Sequence, residues 1–537
     1  MFDVLLVNAK IVDGARTPWY MGDVGIIGER IEAIGNLKGS EARMTLDVQG
    51  HILAPGFIDV HTHFDLLPFP FQQSKYRESD HRTRQGITTV VVGSCGISVS
   101  PMSEERSVQW MDESQSVSEF PAKKWLQFDE YLTDMSHQKL NTNYGAYVGH
   151  GAIRYSVMGN EAREPSESEL TLMKHRLRES MEAGALGMST GLIYQPGIHA
   201  KTEELMALGS VLKETGGVYV SHMRSEGAQW FEAVQEVIDI CETNDIPGII
   251  HHLKTKAKDS AERVRTVLQM IEDARDRGVD IVFDQYPYLA SATTMTVTLP
   301  VWARSGDPGE VLERIKNPDN REKLLEGIRQ DYGWKRREEE RAGADNFLIL
   351  SAKNHLEYFG KTVCELAEER QLEPAEMVLE LLINTELSSG AAFFGLKEED
   401  ICTIMKSPYG MVGSDSGDSR PGGMNHPRTN GTFAKLIGEY VLEKRVLGLE
   451  EGIHKMTGFP ATKLGLSKRG MIKEGFYADI VVFDPDIFKD RSTYLEPDLA
   501  AEGVTEVFLN GQQILNKNSE ETFFGKVLRR QTPDSMD

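Results

Sequence analysis

The sequence predicts an α/β protein whose main part is a (β/α)8 TIM barrel, joined to a small β-sandwich domain and carrying an inserted lid. Between residues 56 and 465, short apolar runs alternate eight times with amphipathic helical stretches. Eight βα units are the number that closes such a barrel. Both chain ends instead carry β-like runs broken by turn residues, so two remote segments can complete one sheet system.

The first 55 residues contain three β-like stretches, DVLLVNAKIVDG, DVGIIGERIEAIG and MTLDVQGHILAPG. Gly, Asp and Asn separate them and no helical period is visible, so we expect residues 1–55 to form the N-terminal part of the β-sandwich. The stretches GMIKEGFYADIVVFDPD and GVTEVFLNGQQIL near the other end have the same texture. Residues 466–537 are therefore expected to supply the C-terminal part and a tail, which leaves residues 56–465 for the barrel.

We number the eight apolar runs as barrel strands one to eight. In order they are GFIDVHTH (56–63), TTVVVGSCG (88–96), YGAYVGHG (144–151), ALGMSTGL (185–192), GVYVSHM (217–223), PGIIHHLK (247–254), DIVFDQYPY (280–288) and GMVGSDS (410–416). A ninth run, NFLILSA (346–352), falls in the longest gap, between strands seven and eight. We assign residues 290–345 to an inserted lid beside the site and expect the ninth run to pair outside the barrel or with the lid.

Composition excludes several classes of partner. The formal net charge is −23 and the basic residues form no stripe that could bind phosphates, so nucleic acid is not expected as a partner. No run of 18 apolar residues is present, so no membrane span is expected. The N-terminus does not resemble a signal peptide, and four scattered cysteines suit a reducing compartment. The sequence therefore predicts a cytoplasmic protein.

Reactive side chains end five of the eight predicted strands, where the active sites of such barrels lie. An HxH pair or a single strand cysteine has little meaning alone, because a lone cysteine is more often a small buried hydrophobe. The joint pattern predicts a site, since residues i and i+2 of a strand share a face and imidazole, thiolate and carboxylate groups together select zinc. We therefore expect one or two zinc ions at these residues: His61, His63, Cys95, His222, His251 or His252, and Asp415.

The stretch GFIDVHTHFD resembles the opening of the metal-dependent amidohydrolase superfamily. Further stretches resemble its N-acyl-D-amino-acid deacylases, or D-aminoacylases, and they follow in order over about residues 1–485: GSCGIS, VGHGAIR, STGLIYQPG, SHMRSEG, HHLK, DQYPY, and GSDS followed by NHPRTNGTF. The resemblance implies a TIM barrel that hydrolyses the amide bond of small N-acylated amino acids.

The resemblance also implies two metal positions that share Cys95. His61 and His63 complete one of them, and His222 with His252 complete a second, tighter one. Many relatives bridge their metals with a lysine of barrel strand four, but ALGMSTGL contains none, which favours the branch that uses cysteine. His251 replaces the serine that the family places before the strand-six ligand, so either His of the pair is a candidate. His252 is chosen because it keeps the two-residue spacing to Lys254.

For the substrate, the resemblance implies that Lys254, Tyr286 and Arg428 hold the α-carboxylate, as cationic side chains do well. Tyr194 would donate a hydrogen bond to the scissile carbonyl. Asp415 would act as the general acid and base, taking a proton from a zinc-activated water and returning it to the leaving amine. The expected products are a carboxylic acid and a free D-amino acid.

Two alternatives stay open from the sequence. One is hydrolysis of cyclic amides or ureides, as in hydantoinase-like and dihydroorotase-like relatives, against which the missing strand-four lysine argues. The other is a non-catalytic scaffold, which would predict decayed ligands. The apolar segment TTMTVTLPVW (293–302) favours substrates with neutral or apolar side chains, whereas preference for the D isomer rests on the resemblance alone. The expected partner is a small molecule, and a homo-oligomer is compatible with the sequence.

Overall fold

The structure is a computed structural model that describes residues 1–66, 81–105, 124–257, 259–331, 343, 345–417, 424–515 and 523–530. Its strands, in chain order, are β1 (Phe2–Ile11), β2 (Tyr20–Ile27), β3 (Arg30–Gly35), β4 (Ala42–Asp47), β5 (Ile52–Pro55), β6 (Phe57–Asp59), β7 (Ile87–Val92), β8 (Asn143–Ala146), β9 (Val148–Gly149), β10 (Gly187–Gly191), β11 (Val218–His222), β12 (Gly248–Ile250), β13 (Ile281–Gln285), β14 (Ala290–Thr294), β15 (Phe347–Ala352), β16 (Ser389–Phe394), β17 (Gly410–Val412), β18 (Ile480–Phe483), β19 (Val504–Leu509) and β20 (Gln512–Gln513). Parts of the predicted lid (332–342 and 344) and of the tail (516–522 and 531–537) lie outside the described residues.

The helices alternate with the barrel strands or pack on the inserted sheet. The α-helices are His81–Arg84, Phe128–Ser136, His150–Met158, Glu167–Glu182, Thr202–Thr215, Trp230–Asn244, Ser260–Asp276, Pro308–Lys316, Arg321–Asp331, Val363–Arg370, Pro374–Asn384, Glu398–Lys406, Arg428–Lys435, Leu449–Met456 and Gly458–Lys463, and Leu436–Glu443 is a π-helix. Short 3-10 turns occur at Phe64–Leu66, Gly197–His199, Met295–Thr298, Pro318–Asn320 and Leu356–Tyr358. Over the described part of the chain, no helix is both long enough and apolar enough to span a membrane.

The barrel consists of eight parallel strands, in the order β6, β7, β8 with β9, β10, β11, β12, β13 and β17. Tyr147 joins β8 to β9, and its N–H donates to the carbonyl of Val92 at 2.9 Å. The ring closes where Thr62 pairs with Ser416 as parallel strands do, and the N–H of His63 donates to the Ser416 carbonyl at 2.7 Å. The predicted (β/α)8 fold is confirmed.

The strand sequences account for the two apolar layers of the barrel. In β11, β12 and β13, the side chains of Val220, Ile249 and Val282 share one buried cluster, whereas Tyr219, Ile250 and Phe283 join the larger cluster that includes the surrounding helices. This alternation follows from the two-residue period of a strand. Continuing the first row by two residues leads to polar groups at the C-terminal strand ends, where the site lies.

The small β domain uses both ends of the chain. β1 pairs with β2 along one edge, and along its other edge first with β4 and then with β5. The sheet continues from β5 through β18 and β19 to β20, so strands near the C-terminus lie in the same sheet as the first 55 residues. Fourteen buried apolar side chains from both segments form its core.

The insertion between β13 and β17 is a separate unit with its own sheet and core. β14, β16 and β15 form an antiparallel sheet, so the ninth apolar run pairs outside the barrel. The helices between residues 308 and 384 pack against this sheet. Its strands extend past the residues 290–345 that the sequence analysis assigned to a lid. β14 follows barrel strand β13 after four residues, and its Thr293 lies 3.0 Å from the hydroxyl of Tyr194, which follows barrel strand β10.

Candidate active site

Two groups of potential metal ligands that share Cys95 meet at the C-terminal ends of the barrel strands, and His61 also forms a third group with His251 and Asp284. One group contains His61, His63, Cys95 and Asp415, and the other contains Cys95, His222 and His252. Within each group the ligand atoms lie within 4.8 Å of one another. These are the residues that the sequence analysis singled out, and Cys95 belongs to both groups.

The group of Cys95, His222 and His252 is almost fully buried. Nε2 of His252 lies 3.9 Å from Sγ of Cys95 and 2.8 Å from Nδ1 of His222. Burial raises the pKa of the Cys95 thiol, but the imidazoles of His61, His222 and His252 outweigh it and hold that pKa well below its usual value. The sulfur is therefore a thiolate, which is the form that binds zinc.

The second group is arranged around the carboxylate of Asp415. Its Oδ1 lies 3.2 Å from Nε2 of both His61 and His63, and Sγ of Cys95 lies 3.3 Å from the same nitrogen of His61. Its Oδ2 accepts a hydrogen bond from Nη1 of Arg428 at 2.7 Å. Burial opposes ionisation, but the charges of Arg428 and His61 outweigh it and hold the pKa of Asp415 well below its usual value. The carboxylate is ionised and can accept a proton.

Three of these residues have backbone angles that non-glycine residues rarely adopt. Cys95, His252 and Asp415 have φ values of 54°, 38° and 54°, and each stands two or three residues beyond the end of its strand. Such angles persist only where surrounding contacts enforce them. Here the N–H of Asp415 donates to the carbonyl of His61 at 2.8 Å, and the N–H of His252 donates to Oδ1 of Asp284 at 2.9 Å. The turns bring all three side chains to the site.

His251 and His252 occupy different places, which separates the pair that the sequence left open. His251 continues the row of Ile249, stacks on His61 with ring centroids 3.6 Å apart, and contacts Oδ2 of Asp284 through Nδ1 at 2.5 Å. The left-handed turn at His252 directs its ring to Cys95 instead. The geometry therefore groups His252, and not His251, with the potential ligands Cys95 and His222.

The donor set fits a zinc ion. A thiolate and two imidazole nitrogens converge within 4.8 Å, and either a shared proton or a metal cation offsets the repulsion between their lone pairs. Thiolate and imidazole are the ligands that zinc prefers, and three protein ligands leave a coordination position for water. Nδ1 of His222 and Nε2 of His252 lie 2.8 Å apart, and the latter faces Sγ of Cys95, so each ring can present one nitrogen to a metal.

The four residues predicted to contact the substrate lie next to these groups. The hydroxyl of Tyr194 is 3.0 Å from Oγ1 of Thr293 in β14, and burial raises its pKa well above the usual value, so it stays a hydrogen-bond donor. Arg428 and Lys254 lie over the ring of Tyr286, 5.1 and 5.7 Å from its centroid. The Tyr286 hydroxyl is buried and has no hydrogen-bond partner among the residues that the structure describes.

The sequence analysis missed two carboxylates that contact the predicted ligands. Oε1 of Glu226 accepts from Nζ of Lys254 at 2.5 Å, so this lysine has an internal partner. Asp284 contacts Nδ1 of His61 at 3.2 Å, besides its bonds to the strand-six histidines. The available signals were position and motif: Glu226 stands four residues after His222 in SHMRSEG, and Asp284 begins DQYPY at the end of barrel strand seven.

A barrel that gathers a thiolate, imidazoles and an ionised carboxylate at the C-terminal ends of its strands has the design of a metal-dependent hydrolase. Comparison with known proteins agrees with this class. The chain belongs to the amidohydrolase family, whose profile matches residues 44–315 and 411–515. Most of the insertion between β13 and β17 falls in the unmatched stretch.

Individual relatives align over nearly the whole chain. D-aminoacylase of Alcaligenes xylosoxydans xylosoxydans is 32% identical, over 98% of this chain and 96% of that protein. The crystal structure of N-acyl-D-glutamate deacylase from Bordetella bronchiseptica, complexed with zinc and a phosphonate inhibitor that mimics the tetrahedral intermediate, superimposes with a TM-score of 0.82 at 32% identity, covering 98% of this chain and 99% of that one. A D-hydantoinase structure, at 16% identity and a TM-score of 0.55 with 99% of both chains covered, shares the fold.

Proposed function

We propose that the protein hydrolyses the amide bond of N-acyl-D-amino acids to a carboxylic acid and a free D-amino acid. The observation that carries the proposal is the position of Cys95, whose sulfur belongs to both ligand groups while an ionised Asp415 belongs to one of them. The relatives named D-aminoacylase and N-acyl-D-glutamate deacylase, each 32% identical over nearly the full chain, support the linear N-acyl-D-amino acid as substrate.

In this proposal Cys95, His222 and His252 hold one zinc ion tightly. His61, His63 and Cys95 offer a second, weaker position, because Asp415 and its partner Arg428 border that side and compete for the same histidines. Zinc, when bound, lowers the pKa of a water molecule and polarises the amide carbonyl.

Side chains of the protein then transfer the proton of the attacking water and stabilise the negative charge on the carbonyl oxygen. Asp415 is ionised and lies at the ligand group, so it accepts the proton of the attacking water and later delivers it to the nitrogen of the leaving amine. Arg428 fixes the orientation of this carboxylate through its 2.7 Å hydrogen bond. The protonated Tyr194 hydroxyl donates to the carbonyl oxygen as negative charge develops there.

Binding of the substrate's α-carboxylate is assigned to Lys254, Tyr286 and Arg428. All three are at least 90% buried, and the two cations stand on one aromatic ring. In the structure both cations are paired internally, Lys254 with Glu226 and Arg428 with Asp415. The carboxylate of the substrate therefore binds beside existing ion pairs. Its attraction comes from these few cations, although the whole protein has a net charge of −23.

The cyclic-amide alternative has less support. β10 reads GMSTG and offers no lysine to bridge two metals, and the D-hydantoinase comparison extends only to the fold. A scaffold role is disfavoured because His61, His63, Cys95, His222 and His252 converge as intact ligand groups. The cytoplasmic location and a homo-oligomer stay predictions.

The deciding experiment measures release of free amine from paired N-acetyl-D- and N-acetyl-L-amino acids by the zinc-loaded protein, with metal-stripped protein as the control. Metal-dependent release from the D isomers alone is the expected result. Hydantoin and dihydropyrimidine substrates are tested in parallel, and turnover of these without release from any N-acetyl amino acid would overturn the proposal in favour of the cyclic-amide class.

A further inference from the structure

Glu226 places one carboxylate behind both histidines of the tighter ligand group. Its Oε1 lies 3.1 Å from Nδ1 of His252, 3.9 Å from Nε2 of His222 and 2.5 Å from Nζ of Lys254. The side chain is 23% exposed. The 2.5 Å contact makes Glu226 and Lys254 an ion pair, so the carboxylate presents a negative charge to the two histidines.

The rings of His222 and His252 each direct one nitrogen towards Cys95 and the other towards Glu226. His252 directs Nε2 to Sγ of Cys95 and Nδ1 to Glu226, while His222 directs Nδ1 to the same cluster and Nε2 to Glu226. A carboxylate that accepts from one ring nitrogen fixes the proton there and leaves the lone pair of the other nitrogen for a metal. At 3.1 Å from Nδ1, Glu226 can set the tautomer of His252, whereas at 3.9 Å from His222 it lies beyond hydrogen-bond distance and acts on that ring through its charge alone.

We infer that Glu226 is the positioning residue of the tighter metal group, and that the same carboxylate oxygen also pairs with Lys254. The inference rests on the metal ligands assigned in the proposed function. Asp284 has the equivalent relation to the other group, because His61 directs Nε2 to Cys95 and Nδ1 to Asp284. Each group thus has its own carboxylate on the side of the ring that faces away from the sulfur.

The arrangement predicts that metal affinity and substrate affinity respond differently to loss of the Glu226 charge. Lys254 is now shared between Glu226 and the incoming substrate carboxylate. Removing the Glu226 charge weakens both histidines as ligands, yet leaves Lys254 without its internal partner. Zinc affinity should therefore fall while KM at saturating zinc does not rise.

The test is Glu226→Gln, with Glu236→Gln as the matched control. Glu236 also lies near the β11 loop in an ion pair, with Arg224 at 2.9 Å, but is in neither ligand group. Zinc affinity is measured by competition with a chromophoric chelator, and the ligand field by the visible spectrum of the cobalt-loaded protein. Outer carboxylates of this kind are typically worth about 10- to 100-fold in metal affinity. We expect a loss in that range for E226Q, with its thiolate-to-cobalt band retained, and less than threefold change for E236Q.

Three results would each be informative. Wild-type zinc affinity in E226Q overturns the inference while leaving the proposed function intact. Retention of zinc by Cys95→Ala, tested separately, overturns the metal assignment itself. Lys254→Met is the control for a general loosening of the loop, because it breaks the ion pair but keeps the Glu226 carboxylate. It should retain zinc affinity while KM rises. Equal loss of zinc in E226Q and K254M would show that loop packing, and not the Glu226 charge, holds the histidines.

Discussion

Replacing Asp415 by Asn tests whether this residue transfers protons or is needed to bind the metal. Asparagine has nearly the same size and shape, and its amide oxygen can still accept the hydrogen bond from Arg428. The amide is neither charged nor basic, however. The variant therefore removes the proton acceptor, and with the amide oxygen on Arg428 the amide NH2 takes the 3.2 Å contacts with His61 and His63, where it donates to a ring nitrogen.

The expected size follows from the role of the lost group. A positioned general base contributes typically about 10²- to 10⁴-fold to the rate, or about 2.7 to 5.4 kcal/mol of transition-state stabilisation. Cys95, His222 and His252 form a ligand group of which Asp415 is not a member. We therefore expect Asp415→Asn to lose turnover by that factor and to change the affinity of the tighter zinc by less than about tenfold.

The assay combines free-amine release under saturating N-acetyl-D-amino acid with zinc content by elemental analysis after dialysis. The matched control is Asp490→Asn, which changes a carboxylate that accepts from Tyr288 at 2.7 Å outside both ligand groups, and should keep turnover within about threefold. Activity of Asp415→Asn near the wild-type value would refute the assignment of the base. Loss of the tighter zinc together with activity would instead make Asp415 an essential ligand.

Three further predictions concern residues around the same site. Cys95→Ala removes the sulfur common to both groups, so bound metal and turnover should fall together, and retention of either would rule out the shared thiolate. Arg428→Met removes the charge that holds the pKa of Asp415 down, so the fall of kcat/KM with decreasing pH should begin at a higher pH than in the wild type; an unshifted profile would contradict this. The apolar segment 293–302 predicts faster hydrolysis of N-acetyl-D-methionine than of N-acetyl-D-glutamate, and the opposite order would point to Lys256, whose amine donates to Ser291 in β14 at 2.8 Å.

The periodic part of the structure could be predicted because it depends on local patterns. Runs such as ITTVVV alternate with amphipathic helices, and this alternation specifies a barrel and its eight strands. The third strand of the inserted sheet was not predicted, since SGAAFF in β16 is short and has no clear alternation. Its pairing with β14 and β15 joins residues about 40 to 100 positions apart, which no local pattern encodes.

At the site, the sequence identifies the residue types that can bind metals, but the backbone decides which of them join each group of potential ligands. His251 and His252 are adjacent and chemically identical. The φ of 38° at His252 turns its ring towards Cys95, whereas the ring of His251 contacts Asp284. Glu226 was missed for the opposite reason, because an acidic residue in a loop usually lies in solvent. Its contact with two ligands depends on the loop after β11 folding back over Lys254. The carboxylates behind the histidine rings are therefore the part of such a site that only tertiary structure reveals, because their distance to the rings depends on how the loops fold.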